Sequence, residues 1–372
     1  DVVADTGVPG GESETHTASG DSYVRFSQTA WGYEDYRSFI RSRGQDPDLV
    51  TFTWGWTSNP QGGFWNKLNN VRPIAGGVAE TYSLTHLYAE AAKHQAPSAT
   101  ASIRDREERA IVVALADWQL GKTGRRGGTD GTLARLAATR KVLEGIYAER
   151  RPSKIVLIDL GDGIEGFESG GDPQFTNDLS LPDQLDAYAT EMFMFVAQAA
   201  EFADTEVGAV SSNHAAWRRG KQNLGKPNDD FGLYVHRQVS KIVDESTFDA
   251  YWHYPADYDE SILIDALGVP IGAVHGNQFG PGKAIDWWQA QAFGSQAITR
   301  ADVLLTGHYH SFGAGVAGIN PFTERERMWL GAPTVDPGSD WYRAIRGRDS
   351  LPGTLIFEVT PDGFDLGSLR II

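Results

Sequence analysis

The sequence contains no cysteine. Disulfides, iron–sulfur clusters, cysteine-ligated zinc and thiol nucleophiles are therefore excluded. Any bound metal must be held by His, Asp, Glu, Asn or Gln, and these ligands favour harder divalent ions such as manganese, iron, zinc or magnesium. A chain without cysteine also suits a reducing compartment, so we expect a cytoplasmic protein.

Long apolar runs are lacking as well. None approaches the ~18 residues that a membrane helix needs, so no membrane partner is expected. Basic residues are few beside acidic ones, with 33 Lys and Arg against 49 Asp and Glu and a formal net charge of -16. Such a surface repels nucleic acid and membranes, so binding of a polyanion would depend on local basic loops or on bound metal.

The chain changes character along its length. Residues 1–20 are rich in Gly, Ser, Thr and acidic residues, which predicts a flexible tail. Residues 21–100 form an aromatic-rich accessory region, and residues 110–372 form the main domain. The aromatics of the accessory region are either the core of a small β-rich module or a surface that stacks on unpaired bases. They are Tyr23, Phe26, Trp31, Tyr33, Tyr36, Phe39, Phe52, Trp54, Trp56, Phe64 and Trp65.

The main domain alternates between two patterns. Apolar, β-branched runs are separated by segments of helical periodicity, which predicts an α/β fold with strands covered on both faces. Two later runs, 327–335 and 353–359, are typical of a terminal antiparallel addition. The five main runs occupy residues 111–116, 154–160, 207–212, 269–274 and 301–306.

Each main run ends in a polar cluster. Because ligands of open α/β sheets bind outside the carboxyl ends of the strands, five such clusters are expected to meet at one rim. Carboxylates and imidazoles are the usual ligands of divalent metals when Cys is absent. In order, the clusters are Asp117-Trp118-Gln119, Gly161-Asp162 with Glu165, Asn213-His214, His275-Gly276 and Gly307-His308-Tyr309-His310.

These motifs resemble, in order and spacing, those of the calcineurin-like metallophosphoesterases. The resemblance covers about residues 110–335. The chain is also similar to phosphoesterases of actinobacterial phages, which would place it in the host cytoplasm, and more distantly to the DNA-repair nucleases of the superfamily. The resemblance implies a two-sheet α-β-β-α sandwich with two divalent metal ions, Mn²⁺ first and Fe, Zn or Mg as alternatives.

The resemblance also implies a role for each residue. Asp162 would bridge the two metals and share in catalysis, and His214 would act on the scissile phosphate without binding metal. The first metal would be bound by Asp117, Gln119 and His310. The second metal would be bound by Asn213, His275 and His308.

The sequence departs from the family pattern in three places. Gln119 stands where the family usually has His, and an amide oxygen is a weaker ligand than imidazole. Ser212 stands where the family has Gly before Asn. Ala215 and Ala216 follow His214, where the family often has an acidic residue, so the partner that tunes His214 is not identified by the motif. Glu165 either supports the metal or is a solvated loop carboxylate.

Two basic stretches leave the ligand-bearing strand ends. Guanidinium groups bind phosphate in a bidentate manner, so these stretches are candidate substrate-binding elements; the alternative is ordinary exposed charge. The candidate residues are Arg218, Arg219, Lys221, Arg125 and Arg126.

The predicted function is hydrolysis of a phosphoester by a hydroxide that two metals activate. The favoured activity is that of a phosphodiesterase or nuclease acting on DNA. Two alternatives remain open: a phosphomonoesterase acting on nucleotides or phosphoproteins, and a non-catalytic metal-binding scaffold. The expected partners are the phosphoester substrate, with DNA as a candidate, and a second copy or another protein bound through the N-terminal region.

Overall fold

The computed structural model describes most of the chain, in two compact units. The described residues are 13–17, 20–43, 47, 50–60, 62–73, 84–93, 107–124, 126–169, 172–173, 177–219, 222–336, 338 and 350–372. The units comprise residues 1–81 and 82–372. Within the described ranges, no helix is long and apolar enough to cross a membrane.

The first unit is an antiparallel sheet with one helix. The strand order is β1-β2-β4-β3. Tyr36 and Ile40 of the helix are buried in a small core with Tyr23, Leu68 and Val71, which supports the module-core interpretation for these aromatics. The elements are β1 (Ser13–Thr17), β2 (Gly20–Ser27), α1 (Tyr33–Ser42), β3 (Val50–Ser58) and β4 (Phe64–Pro73).

The boundaries of the accessory region differ from the expected ones. The predicted tail, residues 1–20, contains β1, which pairs in antiparallel register with β2. A strand held by backbone hydrogen bonds and by the ion pair of Glu14 with Arg43 buries little apolar surface, so hydrophobic periodicity does not reveal it. Residues 1–12 of that tail lie outside the described residues.

The helices of the second unit follow the periodic segments of the sequence. Helix α2, which lies inside the predicted 21–100 region, belongs to this unit and buries Leu87 and Ala91 in its core. The helices are α2 (Leu84–Ala91), α3 (Gly128–Arg150), α4 (Leu181–Phe202), α5 (Phe231–Asp244), α6 (Ala284–Ala290) and two 3₁₀ helices, Gln291–Gly294 and Ala297–Arg300.

The strands of the second unit form two large sheets and two short hairpins. The hairpins are β7–β8 and β10–β11. The strands are β5 (Glu107–Leu115), β6 (Pro152–Asp159), β7 (Glu168–Ser169), β8 (Asp172–Pro173), β9 (Asp204–Ala209), β10 (Arg218–Arg219), β11 (Gln222–Asn223), β12 (Tyr251–His253), β13 (Ser261–Ala266), β14 (Val269–Val274), β15 (Val303–Thr306), β16 (Gly313–Ile319), β17 (Glu326–Gly331), β18 (Leu355–Thr360) and β19 (Gly363–Ile371).

The two large sheets are mixed. The first has the order β12-β9-β6-β5-β18-β19, and the second has the order β13-β14-β15-β17-β16. Strands β5, β6 and β9 are parallel to one another, and so are β14 and β15. The predicted strand runs that carry site motifs are therefore divided three and two between the sheets.

The sheets pack face to face, with helices outside. One apolar cluster joins the inner faces of both sheets through residues such as Ile158, Ile271 and Phe357. A second cluster packs α3, α4 and α5 on the outer face of the first sheet. A third places α6 and a 3₁₀ helix on the second sheet, through Trp288 and Ile298. The predicted α/β fold with a two-sheet α-β-β-α sandwich is confirmed.

One predicted pairing is wrong. The run at 327–335 was expected to be part of a terminal antiparallel addition, but β17 pairs parallel with β15 inside the second sheet, and only its other edge is antiparallel, to β16. A short apolar run does not encode its pairing direction, which depends here on the connection through β16. The run at 353–359 does pair antiparallel, with β5 and β19.

Helix α4 should carry much of the stability of the second unit. Phe193 is 0% exposed within the helix–sheet core. We expect Phe193→Ala to lower the free energy of unfolding by about 3–5 kcal/mol, because it removes a buried ring and leaves a cavity. The control Val142→Ala, on an exposed face of α3, should change it by less than about 0.5 kcal/mol. Equal effects in denaturant titrations would contradict this packing.

Candidate metal centre

The ends of five strands bring the predicted ligands together. Asp117 follows β5, Asp162 follows β6 and Asn213 follows β9, while His275 and His308 follow β14 and β15 of the other sheet. Contacts cross between the sheets, since His275 Nε2 lies 3.0 Å from Asp162 Oδ2 and His310 Nε2 lies 3.4 Å from Asp117 Oδ1.

The backbone is unusual at these strand ends. Among the described residues, ten non-glycine residues have positive φ, and five of them are predicted metal ligands. Such left-handed backbone is uncommon outside glycine and clusters where function requires it. The five ligands are Asp117, Gln119, Asp162, His308 and His310. These residues lie just beyond the carboxyl ends of β5, β6 and β15.

Two glycines of the motifs lie where other residues of the site approach the backbone closely. A Cβ on Gly161, whose φ is +91°, would stand 2.5 Å from Ser212 Cβ and 3.1 Å from His275 Nδ1. A Cβ on Gly307 would stand 2.7 Å from Asp117 Oδ2. A side chain at either position would push apart the strand ends that carry the ligands.

One cluster has the chemistry of a metal site. Ligand atoms of Asp162, His275 and His308 all lie within 4.8 Å of one another. Asn213 Oδ1 lies 2.9 Å from His275 Nε2, on the same nitrogen that faces Asp162. His275 Nδ1 lies 2.6 Å from the carbonyl oxygen of Leu160, so it carries a proton and donates to that oxygen.

This cluster fits a divalent cation. With the proton on Nδ1, the neutral His275 ring directs the lone pair of Nε2 towards the carboxylate of Asp162 and the amide oxygen of Asn213. Three acceptor atoms then converge in a buried place where they need a positive charge. Without a metal, that charge is a proton: burial opposes it, but Asp162 outweighs burial and raises the pKa of His275 to about 9. His275 is 0% exposed and Asp162 1%.

The same charges shift the pKa values of His308 and Asp162. Burial and the positive charge of His275 lower the pKa of His308 to about 4, which leaves its ring neutral as a metal ligand must be. Burial opposes the charge on Asp162, but His275 and His214 outweigh burial and hold the pKa of the carboxyl well below its usual range. Asp162 is therefore available as an anionic ligand throughout the physiological range.

The residues predicted for the first metal form a chain of contacts. His310 lies between two carboxylates, with Nε2 3.4 Å from Asp117 Oδ1 and Nδ1 3.2 Å from Asp336 Oδ2. Burial opposes its protonation, but the two carboxylates raise the pKa of His310 to about 10. Lys122 Nζ lies 2.5 Å from Asp336 Oδ2 and also donates to Gln119 Oε1.

His214 lies beside both groups and outside the ligand cluster. Its backbone N–H donates to Asp162 Oδ1 at 2.7 Å, and its Nε2 lies 3.3 Å from Gln119 Nε2. Nδ1 lies 3.0 Å from the carbonyl oxygen and 3.3 Å from Oε2 of Glu165. Burial lowers its pKa, but the charges of Asp162 and Glu165 outweigh burial, so the net shift is upward.

A buried network lies behind the turn that presents Asp162. Asp159 Oδ1 accepts from Gly161 N–H at 2.8 Å, while Oδ2 lies 2.8 Å from His236 Nε2 and accepts from the Tyr188 hydroxyl. Trp252 Nε1 donates to His236 Nδ1 at 3.4 Å. The buried His236 thus holds the carboxylate that fixes the Asp162 turn.

The basic candidates divide into three sets. The Arg218 guanidinium donates to the Glu168 carbonyl at 2.8 Å and so ties two loops together. Arg219 is exposed on the same hairpin. The half-buried Arg126 lies beside Gly338. Lys221 and Arg125 lie outside the described residues. Binding of substrate by any of the five stays a prediction.

Sequence reasoning missed two members of the site and left a third undecided. Asp336 follows β17, a run without a recognised motif, so only the tertiary structure brings it to His310. Lys122 lies three residues before Arg125, and its contacts with Gln119 and Asp336 are not encoded in the sequence. Glu165 is 4% exposed and reaches His214 from three residues beyond Asp162. The position of Glu165 three residues after Asp162 could have identified it as the acidic partner of His214. Ala215 and Ala216, which follow His214, cannot play that part.

Comparison with known proteins gives structural similarity alone. No protein-family model matches the chain. No curated protein matches it either. Among solved structures, one described as the structure of PhoD aligns at 10% identity and a TM-score of 0.30, over 72% of this chain and 65% of that one. This chain thus spans just under two-thirds of the PhoD chain.

Two other solved structures align at a similar level. A metallophosphoesterase from Sphaerobacter thermophilus has 14% identity and a TM-score of 0.28, over 71% of this chain and 88% of that chain. A hypothetical protein from Thermus thermophilus has 12% identity and a TM-score of 0.27, over 70% of this chain and 96% of that chain. These TM-scores are below 0.5, so the function has to be inferred from the site itself.

Proposed function

We propose that this protein is a divalent-metal-dependent phosphoesterase. The observation that carries the proposal is the convergence of Asp162, His275 and His308 from three strand ends to within 4.8 Å, with His214 beside them. A buried set of one carboxylate and two imidazoles is a ligand set for a divalent cation, and Mn²⁺ is the ion we propose. Asn213 would be a fourth ligand.

The roles of the chain's own groups follow from their positions. A bound cation would supply Lewis-acid charge to a phosphoryl oxygen and lower the pKa of water. His214, whose pKa is raised and whose Nδ1 is held by Glu165, presents Nε2 towards the cluster. It is placed to protonate a leaving alkoxide or to donate a hydrogen bond to phosphate. Glu165 would keep the ring oriented and favour its charged form.

A phosphodiester is the substrate that we favour. A cavity beside His214 is lined by Phe167, Arg218 and Phe231. Exposed Phe167 and Trp217 offer flat apolar surface, and Trp217 stacks on Phe231 with ring centroids 5.8 Å apart. Nucleobases stack on such surfaces, so we propose DNA as the substrate and nuclease as the activity.

A small phosphomonoester is the second candidate. The net charge of -16 opposes broad contact with DNA and favours a substrate with few phosphates. A monoester would need only the metal cluster, His214 and one or two of the nearby basic side chains.

The salt dependence of DNA binding separates the two candidates. We expect the His214→Ala variant, loaded with Mn²⁺ so that it binds without cleaving, to bind a short DNA with a slope of about -2 to -3 in log affinity against log salt, as for a few phosphate contacts. Fluorescence anisotropy measures this slope. A flat slope, together with faster wild-type hydrolysis of a nucleoside monophosphate than of a dinucleotide, would reject DNA and favour the monoester.

A further inference from the structure

The two predicted metal positions differ in the groups that their ligand atoms contact. Around the second position, the oxygens of Asp162 and Asn213 converge on one imidazole nitrogen of His275 and need a cation. Around the first position, the predicted ligands already contact charged partners of the protein.

Gln119 is the residue on which the difference depends. Its amide has one atom that can bind a metal, Oε1, and that oxygen accepts a hydrogen bond from the ammonium of Lys122. Its amide nitrogen lies 3.3 Å from His214 Nε2 and can donate to that nitrogen when the imidazole is neutral. The amide would have to give up one of these contacts to turn towards a metal.

Lys122 is held firmly in this place. Its Nζ lies 2.5 Å from Asp336 Oδ2, and the side chains are 13% and 3% exposed. Asp336 also contacts Nδ1 of His310 at 3.2 Å, and His310 in turn reaches Asp117. Side-chain contacts thus run along the series Asp117, His310, Asp336 and Lys122, which ends at Gln119.

A divalent cation added to this series would meet a fixed positive charge. An ammonium bonded to the ligand oxygen itself repels the incoming ion, and burial weakens the screening of that repulsion by solvent. The ammonium also gives the site one of the charges that a first metal would supply. A phosphoryl oxygen at the cluster would then have the second metal, Lys122 and His214 as its cationic neighbours.

We propose that Lys122 takes the place of the first metal, so that the chain binds one divalent cation, at Asp162, His275 and His308, instead of two. The inference rests on the proposed metal-dependent function and narrows it. The two-metal expectation of the sequence counted Asp117, Gln119 and His310 as ligands, without the lysine three residues after Gln119.

The test is the metal content of the full chain and of Lys122→Met, which keeps most of the length of the unbranched side chain and removes its charge. Each protein is dialysed against excess Mn²⁺, freed of unbound ion and analysed for manganese per chain; calorimetric titration with Mn²⁺ gives the number of sites independently. We expect one ion in the wild type and two in Lys122→Met. The control Lys283→Met, which removes an exposed lysine paired with Asp286, should keep one ion.

The outcomes separate this inference from the proposed function. Two ions in the wild type, or one ion in Lys122→Met, would overturn the role of Lys122 and leave a metal-dependent enzyme in place. No bound ion in any variant would overturn the proposed function itself. If Lys122→Met does not fold, Lys122→Gln is the replacement, since its amide can still donate to Asp336; it too should bind a second ion, and one ion there would reject the inference.

Discussion

Asp162→Ala should lose both metal binding and hydrolysis. Asp162 is 1% exposed, lies 3.0 Å from His275 Nε2 and accepts the backbone N–H of His214. It is the carboxylate in the cluster of three ligand residues. Changes to residues that only support metal ligands cost about 10–100-fold in affinity or activity. Removal of a ligand that also positions His214 should therefore cost more than about 100-fold in both.

A conservative variant and a surface control show whether the effect of Asp162→Ala comes from the loss of a metal ligand. Asp162→Asn keeps an oxygen that can accept from the backbone of His214, so it should fold like the wild type while it binds metal much more weakly. Asp286→Ala removes an exposed carboxylate paired with Lys283 and should change neither metal content nor rate. Wild-type manganese content in a folded Asp162→Ala protein would show that the metal binds elsewhere.

His214→Ala should abolish most of the activity while the metal stays bound. General acid catalysis and hydrogen bonding to a transition state are worth about 10²–10⁴-fold. No ligand atom is lost, because the contact of His214 with Asp162 Oδ1 runs through the backbone N–H, which alanine retains. Steady-state rates on a phosphodiester and elemental analysis of the same sample measure the two effects.

A matched histidine provides the control. His253 contacts Glu206 at 2.7 Å on the edge of the first sheet, so His253→Ala should leave rate and metal content unchanged. If His214→Ala lost manganese as completely as Asp162→Ala, His214 would be a ligand and its assignment to the chemistry would be wrong. An unchanged rate would remove it from the site altogether.

Much of the fold, and the meeting of the candidate ligands, could be predicted because local patterns encode them. Apolar runs with polar residues at their ends located Asp117, Asp162 and His275, and the rule that ligands bind at the carboxyl ends of parallel strands placed them together. The structure adds that these ends come from two facing sheets and that sharp left-handed turns direct the side chains. A turn residue with positive φ is hard to infer from Asp or His alone.

The rest depends on contacts between distant parts of the chain. Asp336 and Lys122 are far apart in sequence and meet only after β17 joins β15 in the second sheet, a parallel pairing that the run itself does not encode. The same holds for the network in which His236 of α5 supports Asp159. Local sequence shows which residues can bind or carry charge, whereas packing decides which partner each one meets.

In the accessory region, the sequence does not show which aromatic side chains are buried and which are exposed. Its aromatics divide between core and surface: Tyr36 is 0% exposed, whereas Trp54 and Trp56 are 45% and 49% exposed. Trp54 and Trp56 alternate along one strand, so they share a face of the sheet, and α1 covers that face only in part. A count of aromatics predicts a module with a core; it does not predict which rings α1 leaves uncovered.

The most direct test of the proposed function joins metal content to hydrolysis in one titration. The purified chain is stripped with a chelator and returned to Mn²⁺ in steps, while the hydrolysis rate of bis(4-nitrophenyl) phosphate and the bound manganese are both measured. We predict that the rate is lost with the metal and returns in proportion to it, reaching its maximum at one ion per chain. A fully metal-loaded protein that hydrolyses neither this diester nor a phosphomonoester would contradict the assignment as a phosphoesterase and leave the cluster as a metal-binding scaffold.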